Sequence, residues 1–382
     1  MEKRTPHTGG ERAQNAAQRP APCDGGEATR DGLAVVGIDV GGTHTKMGAF
    51  SFEGGLLSTH AFDSQRVLAA DSQEPFACEV DVLLERARVG SDQVAAVGLA
   101  VPGSVSEGGS LELCPNIDLD LERCKALLRA RFPQARLTVL NDADAAVLGD
   151  CWHGSAGGLD AENVALVTLG TGVGAGFVFR GALYGTARGA AGEVGHLCVD
   201  PHEQEACSCG KAGCLEQYAS AKGLVRTARR HRVARALAVA RRSVDVSEAA
   251  TQRPNAPSER VIRAAAEAFP DARSVLEAFE RGEPAARAAL ARFSDALGFG
   301  LSQIACVVDP DVFVLGGGLS ERADLFLDAV RARYRACALP VCRDTPIVAS
   351  KLGNACGVHG AAYRVLEALA GDEGGSACGC PR

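Results

Sequence analysis

One pattern occurs twice in this chain: an apolar run, a glycine-rich turn and a second apolar run, first over Val36 to Phe50 and again over Leu166 to Phe179. Short stretches of Val, Ile, Leu and Ala broken by glycine predict buried strands joined by tight turns. Two copies predict a duplicated α/β unit with a cleft between the halves. The length fits, since 382 residues are too many for one ordinary domain and enough for two with a core each. Strands are expected at Ala34 to Val40, Thr45 to Phe52, Val94 to Val101, Leu137 to Leu140, Asn163 to Leu169, Gly176 to Arg180 and Val312 to Leu315. Apolar residues at helical spacing predict helices at Leu121 to Phe132, Leu215 to Leu237, Pro284 to Ile304, Glu321 to Tyr334 and Gly360 to Ala370.

A hydrophobic fraction of 46% with 23% charged residues is that of a soluble globular protein. No apolar run approaches the roughly 18 residues of a membrane helix. Met1 to Arg30 mixes charge, Pro, Gly and Gln without an apolar centre, which excludes a secretory signal and predicts a disordered leader. A net charge of −7 argues against a nucleic-acid partner. Fifteen cysteines lie scattered through apolar segments of a long chain, so buried reduced thiols and a reducing compartment, the cytoplasm, are expected.

The first turn reads Asp39-Val40-Gly41-Gly42-Thr43-His44-Thr45-Lys46. Paired glycines let backbone N–H groups approach an anion without interference from a Cβ. Read alone, it is either a hairpin turn or a phosphate loop. As a phosphate loop it would give Asp39 a water of the Mg²⁺ that accompanies ATP, and Thr43 and Lys46 the phosphates. Walker-type and Rossmann loops are excluded, because no GxxxxGK[ST] is present and the turn leads into a strand. The second turn, Gly170 to Gly176, carries four glycines (170, 172, 174 and 176) around Thr171, more than a structural turn needs, and is read as a phosphate contact. A third cluster, Gly316, Gly317 and Gly318, sits between a strand and a helix, where a nucleoside would find open backbone.

Strand Leu137 to Leu140 ends in Asn141-Asp142-Ala143-Asp144. An Asp at the carboxyl end of a strand, facing a cleft, suits the base that phosphoryl transfer to an alcohol requires. In isolation Asp142 reads as a helix N-cap; beside the phosphate loops it reads as the base. Asp144 is expected to be solvent-exposed or in the dipole field of the first turn. His196 with Cys207, Cys209 and Cys214 makes a Cys₃His set that suits a closed, structural Zn²⁺ site. Such a knot would fix Glu193 and Glu216 rigidly enough to grip sugar hydroxyls.

In order and spacing these pieces resemble the ROK family of sugar kinases and related repressors, over about Leu33 to Ala370. The resemblance rests on the Asp39 glycine loop, Val101-Pro102-Gly103, Pro115-Asn116, Asn141-Asp142, Gly170 to Gly176, Glu193-x-Gly-His196, and CxCGxxGC running into Leu215-Glu216. It implies an α/β, actin-like (RNase H-like) two-domain kinase fold with sugar and ATP meeting in the interdomain cleft, and a homodimer or homotetramer. By position it makes Asp142 the general base and Gly103, Asn116, Asn141, Glu193, His196 and Glu216 sugar contacts, with His196 also a zinc ligand. ATP contacts fall on Asp39, Gly41, Gly42, Thr43, Lys46, Gly170, Thr171, Gly172, Gly174 and Gly316 to Gly318. The expected division is a leader over 1–32, a small α/β domain over 33–148 onto which the helix 360–370 packs back, a large α/β domain with the zinc motif over 149–359, and a disordered tail over 371–382.

Two departures from the family pattern concern the site. Ile-Asp-Leu follows Asn116 where Gly-Trp is common, and Gly353-Asn354-Ala355-Cys356-Gly357 replaces a more usual Asn-Asp-Ala-Gly. The segment Arg241 to Ala268 has no firm counterpart. The activity expected is ATP-dependent phosphorylation of a hexose, with glucose the default. N-acetylmannosamine or N-acetylglucosamine kinase is the alternative. A sugar-sensing repressor is disfavoured, because only 38 residues precede Asp39 and they do not read as a winged helix-turn-helix.

Overall fold

The structure, a computed structural model, describes residues 32–68, 73–106, 109–113, 119–185, 190–244, 263–264 and 267–372. The sequence repeat is realised as two five-stranded sheets of the same plan. In the first, β1 (Ala34–Val40), β2 (His44–Ser51) and β3 (Leu56–Asp63) form an antiparallel meander, and β4 (Val94–Val101) and β7 (Arg136–Asn141) extend it in parallel beyond β1. In the second, β8 (Val164–Leu169), β9 (Val173–Phe179) and β10 (Ala182–Leu183) form the meander, and β11 (Val312–Gly316) and β12 (Ile347–Ala349) are the parallel strands. A small ribbon, β5 (Ser104–Val105) and β6 (Leu111–Leu113), leaves the end of β4.

Helices α1 (Gln65–Leu68), α2 (Gln73–Ala87) and α3 (Leu121–Arg131) go with the first sheet. Helices α5 (Glu216–Ala219), α6 (Ala221–Val244), α7 (Ala272–Glu280), α8 (Pro284–Val308) and α9 (Leu327–Cys337) build the core of the second half. Among the described residues no helix is long and apolar enough to cross a membrane.

Two helices connect the halves. Helix α4 (Asp142–His153) packs on β8 and β9, helix α10 (Cys356–Asp372) packs on β1 and β4, and the two pack on each other. These contacts are backbone against backbone. A Cβ built at Gly37 or Gly98 would lie 2.2 Å from Val358 O or 1.9 Å from Ala361 O, one at Gly149 of α4 2.1 Å from Cys356 O, and one at Gly360 of α10 1.6 Å from Ala145 O. No side chain fits at these four places, so glycine is required by proximity.

The structure departs from the sequence reading at several boundaries. Helix α10 begins at Cys356, four residues before the predicted start, because Gly357, which reads as loop, serves packing. The predicted helix from Leu215 is interrupted at Ser220, and the one predicted from Glu321 is preceded by a 3-10 stretch, Gly318–Leu325, with α9 starting at Leu327. The expected leader, the tail beyond 372 and most of the segment 241–268 lie outside the described residues.

Gly360→Ala should cost about 1–3 kcal/mol, the range for overpacking a core contact that must shift backbone. Urea unfolding measures it. Native stability in that variant would mean that α10 is not seated on α4 as described.

Candidate active site

The parallel strands of each sheet end on one edge. In the first sheet this brings Asp39, the turn after Val101, and Asn141–Asp142 side by side, with Asp39 in register with Ala100 and Val101 with Asn141. In the second sheet it gathers Gly170–Gly172, Gly316–Gly318 and residues 350–355. Crevices at the carboxyl ends of strands are where open α/β sheets bind ligands.

The first glycine turn is braced from behind. Gly41 N–H donates to His44 O at 3.2 Å, and Ser64 N–H to Thr43 O at 3.0 Å. The fully buried Ser64 hydroxyl donates to Gly41 O at 2.6 Å and lies 3.0 Å from Thr45 Oγ1. Gly42 and Thr43 remain exposed. Lys46 Nζ donates to Asn354 O at 2.9 Å, so in this structure the ammonium binds the segment leading into α10. The Asp39 carboxylate lies over Gly357, where a Cβ would meet Oδ2 at 2.6 Å. Burial raises its pKa, and Lys46 opposes the rise.

Asn141, not Asp142, is the N-cap of α4. Its Oδ1 accepts from Ala143 N–H at 2.8 Å and Asp144 N–H at 3.1 Å, while its Nδ2 donates to Gly103 O at 2.9 Å. Gly103 itself turns with φ +102°, a conformation glycine adopts freely. The capping reading of Asp142 is thereby corrected, and its carboxylate is left at the first helical position. Burial, then the nearby Asp39, then Glu193 and Asp144 push Asp142 up to about 7 against the pull of the Ala143 amide. Asp144 lies in the first turn of α4, the second of its two expected settings; it is partly buried there, and burial raises it to about 6, opposed by Arg364 of α10.

The second turn is shorter than its sequence suggests. Only Gly170–Gly172 turn, because β9 begins at Val173. Gly174 and Gly176 lie within the strand, and a Cβ at Gly176 would meet Ala143 O at 2.3 Å, so Gly176 seats α4 against β9. The Gly174 amide donates to Thr168 Oγ1 at 3.2 Å, which removes it from the expected phosphate contacts. Of the third cluster, Gly317 has φ +80° and sits so close to Leu169 that a Cβ would meet its carbonyl oxygen at 2.8 Å, while Gly318 is exposed beside Asn354. A cavity of about 820 Å³ opens next to Thr171, lined by Ala221, Val225, Arg229 and Val233 of α6 and by Asp271 before α7.

His196, Cys207, Cys209 and Cys214 offer ligand atoms that all lie within 4.8 Å of one another. Cys209 and Cys214 sulfurs are 3.6 Å apart, and Cys207 Sγ is 3.8 Å from His196 Nδ1. Bonds of about 2.3 Å to a tetrahedral Zn²⁺ put sulfurs about 3.8 Å apart, whereas a disulfide needs about 2.05 Å. The other imidazole nitrogen, Nε2, lies 3.7 Å from Glu193 Oε2, which joins the cluster to the carboxylates around Asp142. Glu216 Oε2 accepts from Val173 N–H at 3.0 Å. Asn116 falls outside the described residues. Sequence reasoning missed Ser64, Thr168 and Gly357, none of which carries a local signal for what it touches.

Residues 35–368 match the ROK family model, and the chain belongs to the ROK family. It is 34% identical over 339 residues to a glucokinase of Streptomyces coelicolor, covering 86% of this chain and 96% of that relative. A glucokinase of Halalkalibacterium halodurans is 30% identical over 342 residues, covering 87% and 94%. Among solved structures, a ROK family glucokinase from Streptomyces griseus in complex with glucose and AMPPNP is 29% identical, with a TM-score of 0.67 over 87% of this chain and 98% of that one. The fold is the actin-like α/β fold of the ROK sugar kinases.

The raised pKa of Asp142 has a consequence for stability. In the unfolded chain Asp142 titrates near 3.8, and in the fold at about 7. The native state therefore holds the proton more tightly, so this contribution is full below the unfolded value and is lost as pH rises through about 7. Asp142→Asn cannot ionise, and its melting temperature should gain on the native protein as pH rises from 4 to 8. Calorimetric melts across that range check this; a constant difference would contradict it.

Proposed function

We propose that this chain is an ATP-dependent hexose kinase that converts glucose to glucose 6-phosphate, with Asp142 as the base. The observation that carries the reading is the position of the Asp142 carboxylate, partly buried where β7 gives way to α4 and beside Asp39 and Glu193, a setting that pushes it up to about 7. A carboxylate of that basicity is matched to taking a hydroxyl proton at neutral pH. Its relatives named glucokinase support glucose as the acceptor.

In this reading Asn141, Gly103, Asn116, Glu193, His196 and Glu216 orient the sugar. The backbone of Gly41–Thr43 and Gly170–Gly172 receives the phosphates, Gly316–Gly318 and the cavity beside Thr171 receive the nucleoside, and Asp39 stands where the charge of Mg²⁺ accompanies the phosphates. Bound Mg²⁺ supplies neutralisation of phosphate charge. Asp142 takes the proton of the attacking hydroxyl as its oxygen bonds to the γ-phosphorus, the bond to the bridging oxygen breaks, and ADP leaves with that electron pair. Lys46, held by the Asn354 carbonyl, fixes the first turn against α10.

The Cys₃His cluster fits Zn²⁺ by donor chemistry and by spacing. Its place in this account is structural, since it holds the loop carrying His196 to the start of α5. Metal analysis should find about one zinc per chain, and Cys209→Ser should lose both metal and stability. Active protein free of zinc would refute the assignment. Asp142→Asn should lower kcat by about 10² to 10⁴-fold while AMPPNP and glucose still bind, because Asn retains hydrogen-bonding capacity. Steady-state rates on folded variant decide it: more than a tenth of native kcat means Asp142 is not the base.

A further inference from the structure

Glu216 stands where the cysteine cluster meets the second glycine turn. It follows Cys214 by two residues, opens α5, and its Oε2 accepts from the Val173 amide at 3.0 Å. Across from it is Gly172, where a Cβ would sit 2.3 Å from the same oxygen. The φ of Gly172 is not among the positive ones, so its backbone does not call for glycine. The space does: a residue with any side chain at 172 would evict the carboxylate.

The turn is otherwise fastened lightly. Gly170 N–H closes on Gly172 O at 3.0 Å, and Ala221 N–H donates to Gly170 O at 2.8 Å. The amides of Thr171 and Gly172 have no hydrogen-bond partner among the described residues, which leaves them free for an anion. Oε1 of Glu216 likewise has no hydrogen-bond partner among the described residues.

We propose that Glu216 is the positioning residue of the second glycine turn, its Oε2 holding the Val173 amide so that the Thr171 and Gly172 amides are set for the nucleotide's phosphates. Oε1 stays available to the sugar, and acceptor and donor sites are joined through one side chain. A hydrogen bond to an ionised carboxylate is about twice as strong as a neutral one, which suits it to fixing a glycine-rich turn. What the turn binds rests on the kinase reading above; that Glu216 orders the turn does not.

Three proteins test this: native, Glu216→Ala and Glu216→Gln, with melts confirming that each is folded. In hydrogen exchange on ligand-free protein, Glu216→Ala should speed exchange across residues 170–174 by about tenfold or more. Glu216→Gln should stay near native, because its carbonyl oxygen still accepts from Val173. In calorimetry with Mg²⁺-AMPPNP and no sugar present, Glu216→Ala should weaken binding by about tenfold, an effect that a sugar contact alone would not produce. Gly172→Ala gives a second arm should Glu216→Ala fail to fold. It leaves Glu216 in the chain but drives a Cβ into Oε2, and should weaken AMPPNP in the same direction. Native exchange and native AMPPNP affinity in Glu216→Ala, with only the sugar KM raised, would overturn the proposal. Native protein that binds no AMPPNP would instead overturn the kinase reading, and the exchange comparison would still decide whether Glu216 anchors the turn.

Discussion

Everything in the site depends on the seating of α10 between the two sheets. Gly37 and Gly98 on the strands, Gly149 on α4 and Gly360 on α10 itself let backbones meet where any side chain would hold them apart. The consequence reaches the charged groups directly. Gly357, in the first turn of α10, leaves room for the Asp39 carboxylate, and Asn354 just before it receives the Lys46 ammonium. Moving α10 outward would pull the Asn354 carbonyl away from Lys46. The connecting helix α4 is held by the same contacts, and it begins with Asp142.

Given that scaffold, the site concentrates like charge. Asp39 and Glu193 lie close enough to Asp142 that each disfavours its ionisation, and burial adds the largest share. A fold optimised only for stability would not keep three carboxylates together in a crevice; such clusters are a mark of functional sites. The arrangement gains sense when a cation and a hydroxyl share the crevice, one offsetting the charge and the other surrendering its proton to Asp142. His196 at the rim links this acidic cluster to the cysteine set, with one ring nitrogen toward each.

Local pattern made much of this legible. The apolar run Ala34–Val40 could only be a buried strand, the duplicated hairpin foretold two sheets of like topology, and the Cys207-x-Cys209…Cys214 spacing marked its cluster without help from the fold. What stayed hidden are contacts set by residues far apart in the chain. Gly357 falls outside the helix that the pattern predicts, because nothing nearby announces that Asp39 presses on it. Gly176 reads as phosphate loop in the sequence, yet it makes room for Ala143. Asp142 reads as a cap only in isolation, and the capping amides of Ala143 and Asp144 both reach the neighbouring Asn141. A glycine reports only that a Cβ is unwelcome, whether the cause is a ligand, a turn or another backbone.

The central claim is that this chain transfers the γ-phosphate of ATP to the 6-hydroxyl of glucose. Phosphorus NMR of protein incubated with Mg²⁺-ATP and glucose tests it most directly. The account predicts that the γ-phosphate signal gives way to ADP and a sugar phosphate monoester in equal amounts, its phosphorus coupled to the two protons on C6. ATP that persists, or that yields only inorganic phosphate with glucose unchanged, would contradict it.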